Sequence, residues 1–264
     1  MPKHLRGFVS GFVEQVQASG RLTFSLADIA ASGPLEGRAL EAALRRHAAN
    51  GAIRRVSRRS DFFVIVPPEY RQMGAPPVDW WLGDLMTHLE LPYYVGLLSA
   101  AQRQGASPFA VMEIQVITPR QMKPLVVGRS RIRWFVKAGT AKTPVEQRRN
   151  PWGSILISSP EATLLDLLRY SVVGIEEVIM IARDLRNQCR GKTLDAALEA
   201  AGDVPSAQRL GYLFEQLGDE KLASQLEGWL SGRSQRPVAL VPGGPNSAQL
   251  SLRWRVTVNA NLEV

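Results

Sequence analysis

Three observations predict an α+β chain in two parts, a small helical and hairpin domain at the N-terminus followed by a larger mixed α/β domain. A length of 264 residues is long for one compact domain and comfortable for two. Apolar periodicity runs at helical spacing up to residue 50, at strand spacing over 52–66, and from residue 111 onward places strands and helices in separate runs. That segregation favours α+β over a doubly wound sheet. Between the two parts, Arg71 to Pro77 suits neither helix nor sheet, because glycine and proline break both. The chain therefore divides into residues 1–70, a linker at 71–77, and residues 78–264.

The first part reads element by element. Residues 3–18 place Leu5, Phe8, Val9, Phe12, Val13 and Val16 on one helical stripe. Ser25 is a helix N-cap with Asp28 at the capping-box position, so a short helix is expected over Leu26 to Ala31. Ser32-Gly33-Pro34 breaks it. A second helix over about Leu35 to Asn50 turns Leu40, Ala43, Leu44, His47 and Ala48 to a core, and turns Arg38, Glu41, Arg45 and Ala49 outward with Arg46 at the margin. Gly51 ends it. Ala52 to Val56 and Phe62 to Val66 are β-rich runs around the polar tip Ser57 to Asp61, the pattern of a hairpin. Helix, turn, helix and basic hairpin make the layout of a winged helix-turn-helix, with the helix in a major groove and the hairpin on phosphates. The candidate DNA-contacting residues are Arg38, Arg45, Arg46, Arg54, Arg55, Arg58 and Arg59. Residues 1–72 hold 11 Lys+Arg against 6 Asp+Glu, and 9 of the 11 lie from Arg21 onward, which favours a polyanion over a merely solvated face.

Composition sets the remaining bounds. The formal charge of +8 favours polyanionic partners without choosing among DNA, RNA and acidic protein. The single Cys189 excludes an internal disulfide and a thiolate-rich metal site, in keeping with a reducing cytoplasm. His4, His47 and His88 form no ligand pair at helical spacing, and His47 falls on the apolar face, so no metal is expected. No signal-peptide core or membrane-spanning run is apparent, and a cytoplasmic location is expected.

The second part begins with two expected helices, Trp80 to Leu89 and Tyr93 to Arg103, with the tryptophan pair read as core. Strands are expected at Val111 to Thr118, Leu125 to Val127 and Arg131 to Val136. Residues 120–149 carry nine Lys+Arg and one acid, Glu146. Arg129, Arg131, Arg133 and Lys137 read as the solvent side of a half-buried strand, and whether that patch meets nucleic acid, an acidic protein or only water stays open. Ile155 to Ser158 feeds a helix with Pro160 at its first position. Gly174 to Arg190, Leu194 to Ala201 and Ser206 to Leu230 continue as helices, and Pro237 to Leu240 and Leu250 to Val258 as closing strands around a Pro-Gly-Gly-Pro loop.

Catalytic signatures are missing from the sequence: no Walker or Rossmann glycine pattern, and no Gly-x-Ser-x-Gly elbow. Asp84 with Glu113-Ile114-Gln115 loosely resembles the acid plus Glu-x-Lys of restriction-endonuclease-like nucleases, but glutamine stands in the lysine position. Glu161 and Asp166, about 140° apart on one helix, are expected at the surface or in a cap. These residues point to a protein that binds, with no catalytic residues and no cofactor.

As a whole the sequence resembles the AbiEi family of antitoxins from type IV toxin-antitoxin systems. The residues that carry the resemblance are Leu44-Arg45-Arg46, Phe62-Phe63-Val64, Tyr94 to Ser107, Ile157 to Asp166, Arg209-Leu210-Gly211-Tyr212-Leu213 and Trp254 to Asn259. They span nearly the full length, and it is their order that is specific. The resemblance implies an autorepressor that binds inverted repeats of double-stranded DNA in its own promoter through the winged helix. It also implies a C-terminal domain that counters a cognate nucleotidyltransferase-like toxin, and a monomer in solution that pairs on adjacent repeats. The wing tip, Arg58-Arg59-Ser60-Asp61, departs by lacking glycine, so a less compact wing is expected. Two other readings compete: a winged-helix regulator whose second domain senses a ligand or protein, and a nuclease-like enzyme.

Overall fold

The structure is a computed structural model that describes residues 7–106, 110–244 and 249–262. Leu5, His4, Ser107 and Pro245 lie outside the described residues. The chain forms two compact units, one of residues 1–93, 121–134 and 147–156, the other of 94–120, 135–146 and 157–264.

In the first unit, α1 (Phe8–Ala18) buries Val9, Phe12, Val13 and Val16. The short β1 (Thr23–Ser25), not expected from the sequence, pairs antiparallel with β3 (Phe62–Ile65), and β2 (Ile53–Arg55) pairs on the other side of β3. Aromatic packing fixes that third strand. Phe24 stacks on Phe63 at 5.1 Å and meets the edge of Phe12 at 5.3 Å. The helix α2 (Leu26–Ala31) opens with the expected capping box: Asp28 N–H donates to Ser25 Oγ at 3.1 Å, and Ser25 N–H to Asp28 Oδ2 at 2.7 Å. The second helix of the motif, α3 (Gly37–Ala49), buries Leu40, Ala43 and Leu44 and stops at Gly51, whose φ of 70° suits glycine. The glycine-poor tip closes all the same, through Ser60 N–H to Ser57 C=O at 3.1 Å.

The same unit continues past the expected linker. In α4 (Leu82–His88), Asp84 accepts from Thr23 Oγ1 at 2.5 Å, and His88 Nε2 lies 2.8 Å from Asp61 Oδ1. Trp81 is fully buried and donates to Pro76 C=O. Trp80 and Trp152 pack on the core of this unit with their rings 6.3 Å apart, and Asn150 Nδ2 donates to Asp79 C=O.

In the second unit, the sequence from Tyr93 to Arg103 splits into β4 (Tyr94–Val95) and α5 (Leu97–Arg103). Tyr94 and Val95 pair antiparallel with β5 (Ile114–Thr118), and Val95 pairs in parallel with Ile157 of β9 (Gly153–Ser158). The helix α6 (Pro160–Tyr170) is capped by Ser159 and buries Pro160 through Leu168 without interruption. It packs against α5, α7 (Ile175–Leu185), α8 (Gly191–Ala201) and α9 (Val204–Gln216). A helix buried all round belongs at the centre of its unit. The expected run from Ser206 to Leu230 is two helices, α9 and α10 (Glu220–Leu230), parted at Gly218.

The chain closes with β10 (Val238–Ala239), β11 (Gln249–Ser251) and β12 (Val256–Val258), in the order β10-β12-β11. Between β5 and β9 the chain forms β6 (Leu125–Val127), β7 (Ser130–Val136) and β8 (Val145–Asn150). The last was not expected, because residues 145–149 are exposed and give no alternation to read.

Candidate nucleic-acid interface

The helix α3 divides its side chains as its periodicity requires. Arg38 and Arg45 stand on the outward face with Arg46 beside them, all exposed, while Leu40, Ala43 and Leu44 face the core. At the wing tip Arg58 and Arg59 are exposed as well. Among the described residues these five guanidinium groups form no ion pair, so their donors are open to solvent or to a ligand.

The other two candidate arginines are engaged within the unit. Arg55 is half-buried, donates to Glu41 Oε1 at 2.8 Å, and lies 5.0 Å from the centre of the Phe63 ring. Arg54 is exposed but donates from Nε to Gly74 C=O at 3.2 Å. These contacts orient both side chains in the free protein. His47 is half-buried, and burial together with Arg46 lowers its pKa, which holds it neutral at the helix end. Asp61, at the base of the tip, has its pKa lowered chiefly by the hydrogen bond with His88.

Sequence reasoning did not anticipate that two later segments belong to this unit. The first is the β6–β7 tip, with Leu125 opposite Ile132 and Val127 opposite Ser130. Its turn sits against residues 73–75, where Arg129 N–H donates to Met73 C=O at 2.9 Å. The second is residues 147–156, held by Trp152 and Asn150 as described above. Proximity between chain segments so far apart in sequence has no local signature.

The nuclease-like residues have structural partners. Asp84 holds Thr23, the Gln115 side chain accepts from Leu98 N–H at 2.8 Å, and its backbone N–H donates to Ser99 Oγ at 2.9 Å. No cluster of three His, Cys, Asp or Glu able to hold a metal occurs among the described residues.

Three expectations about the second unit are corrected. Asp166 is not at the surface. It is fully buried, accepting from Lys137 Nζ at 2.9 Å and from Tyr94 Oη at 2.7 Å. Lys137 is buried too, because the alternation that exposes Arg131 and Arg133 breaks at the end of β7, where Val136 is exposed and Lys137 turns inward. Burial pushes the Asp166 carboxyl up, against the pull of Lys137 and the Tyr94 hydroxyl. Glu161 is likewise buried, with Oε1 accepting from Arg190 N–H at 2.6 Å. Helical spacing gave no signal of this burial, since Thr163, Asp166, Arg169 and Tyr170 share one side of the helix and the leucines lie on the other. Burial also pushes up the Cys189 thiol, so it is no ready nucleophile. No helix among the described residues is long and apolar enough to cross a membrane.

Residues 94–216 match the family model described as the AbiEi antitoxin C-terminal domain. Among solved structures, the crystal structure of RV2827C protein from Mycobacterium tuberculosis has a TM-score of 0.65 at 14% identity, covering 94% of this chain and 90% of that one. It shows a common fold. The solution structure of the antibiotic-resistance factor ANT(2'')-Ia has a TM-score of 0.25 at 14% identity, covering 57% of this chain and 88% of that one, too low to compare folds. No curated protein matches the sequence.

Proposed function

Residues 94–216 match the model of the AbiEi antitoxin C-terminal domain, and from that premise we propose that the chain is a type IV antitoxin of that family that represses its own promoter. In this reading residues 1–70 bind inverted repeats of double-stranded DNA, and residues 78–264 counter a nucleotidyltransferase-like toxin encoded beside it. It acts in the cytoplasm by binding and not by catalysis, as a monomer that pairs on adjacent repeats. The observation that carries the DNA reading is the outward face of α3, where Arg38, Arg45 and Arg46 stand exposed above a buried core stripe. Guanidinium groups on such a helix can donate in pairs to guanine O6 and N7 in a major groove. Arg58 and Arg59 at the wing tip would meet phosphates, with Arg54 and Arg55 reaching the backbone from the wing strand.

Titration of the purified protein against the DNA upstream of its own gene, alongside unrelated DNA, tests this. Selective binding is expected. Arg45→Ala should cost about 1 to 3 kcal/mol on the promoter and relax sequence preference, whereas equal binding of both DNAs by the unaltered protein would sink the repressor reading. For the antitoxin half, co-expression with the adjacent gene should restore growth that the adjacent gene alone arrests. Continued arrest, with both proteins detected, would count against it.

A further inference from the structure

Resting on the DNA-binding reading, we propose that the β6–β7 tip and the end of the β8–β9 hairpin at residues 147–152 form a second DNA contact, which takes backbone phosphates beyond those met by α3 and the wing. The two segments of the winged-helix unit that hold them, 121–134 and 147–156, contain Lys123, Arg129, Arg131, Arg133, Arg148 and Arg149 and not one acid. All six are exposed, while Val127, Ile132 and Trp134 of the same hairpin are buried. Lys123, Arg129, Arg131 and Arg149, like charges with no acid in their own segments, repel one another, and a polyanion relieves that repulsion.

Placement supports the same ligand. Gly128 at the hairpin turn has a φ of 61° and sits so close to residues 73–75 that a Cβ there would lie 2.6 Å from the carbonyl carbon of Gly74. A Cβ on Gly74 would in turn lie 3.0 Å from Arg54 Nη2 and from Gly128 Cα. Backbone packed on backbone therefore joins Gly74 to Gly128, and the Arg54 side chain joins Gly74 to the wing strand. The second segment is fastened by Trp152 on the winged-helix core. Both basic elements share a unit with the winged helix, so the cations are presented without a loop having to order first. Exposed guanidinium groups on hairpin strands and turns suit phosphate oxygens, so this contact adds affinity and not sequence preference.

The test is the full-length triple variant Arg129→Ala, Arg131→Ala, Arg149→Ala, titrated on promoter DNA at several salt concentrations. All three side chains are exposed, so an unchanged thermal melt is expected and serves as the folding control. The slope of log Kobs against log salt should become shallower by about 2 to 3, since each phosphate that the protein neutralises contributes about 0.9. Affinity near physiological salt should fall on the order of tenfold to a hundredfold, with the ratio of promoter to unrelated DNA unchanged. A variant with the slope and affinity of the unaltered protein overturns the second contact while leaving the winged-helix reading intact. A changed promoter ratio overturns the phosphate role. An unaltered protein that binds no DNA at low salt overturns the DNA reading itself, and the second contact with it.

Discussion

Lys137→Met is expected to destabilise the second unit by about 3 to 5 kcal/mol, because it strips the cation from a buried carboxylate. Asp166 and Lys137 are both almost completely enclosed, and the other side chain that bonds to the carboxylate among the described residues is Tyr94. Urea denaturation followed by circular dichroism measures the loss. The companion double variant Lys137→Met, Asp166→Leu should recover most of it, since apolar side chains of similar volume need no solvation. Should the double variant be as unstable as the single one, packing around Lys137 and not the orphaned charge would be the cause.

The pH dependence has a definite sign. Burial raises the folded pKa of Asp166, so the native state holds that proton at pH values where the unfolded chain has released it. Stability linked to this group is therefore greatest in acid and falls as pH rises through the elevated value. Removal of Lys137 takes away the largest opposing pull and raises the folded pKa further. The deficit of Lys137→Met should grow as pH rises and shrink as pH falls.

Gly128→Ala should cost about 2 to 5 kcal/mol, the sum of a left-handed backbone forced on a residue with a Cβ and a steric clash in a packed site. The new atom would meet the backbone of residues 73–75, with Ala75 N at 2.8 Å as well as the Gly74 carbonyl carbon, and backbone cannot swing away as the end of a side chain can. The specific readout is hydrogen exchange at the Arg129 amide, which donates to Met73 C=O in the latched hairpin. Faster exchange there, with α3 still protected, would show the hairpin released from an intact winged helix. The salt slope on DNA should then move toward that of the triple arginine variant. Unchanged protection of Arg129 would show that the backbone contact is not what holds the hairpin.

What the sequence determined by itself was whatever rests on neighbours within a few residues. The Ser25–Asp28 capping box, the arginine and leucine faces of α3, the two wing strands and the Pro160 helix start all follow from spacing, and the structure contains each of them. The order of motifs along the chain likewise carried the family, which the match at residues 94–216 bears out. Tertiary structure alone decided what depends on partners distant in sequence. β1 is only three residues long and exists because β3 offers it a pairing edge and Phe63 a stacking face. The polar β8 shows no alternation, because both of its faces meet water over residues 145–149. Asp166 and Lys137, 29 residues apart, could each be read as exposed until folding placed them together where neither charge is stable alone. The arginines of residues 129–133 and 148–149 were visible as a basic stretch from the start. Their place on the first unit was not, because for residues 129–133 it depends on two glycines, 74 and 128, whose lack of side chains lets distant backbones touch, and for residues 148–149 on Trp152 and Asn150.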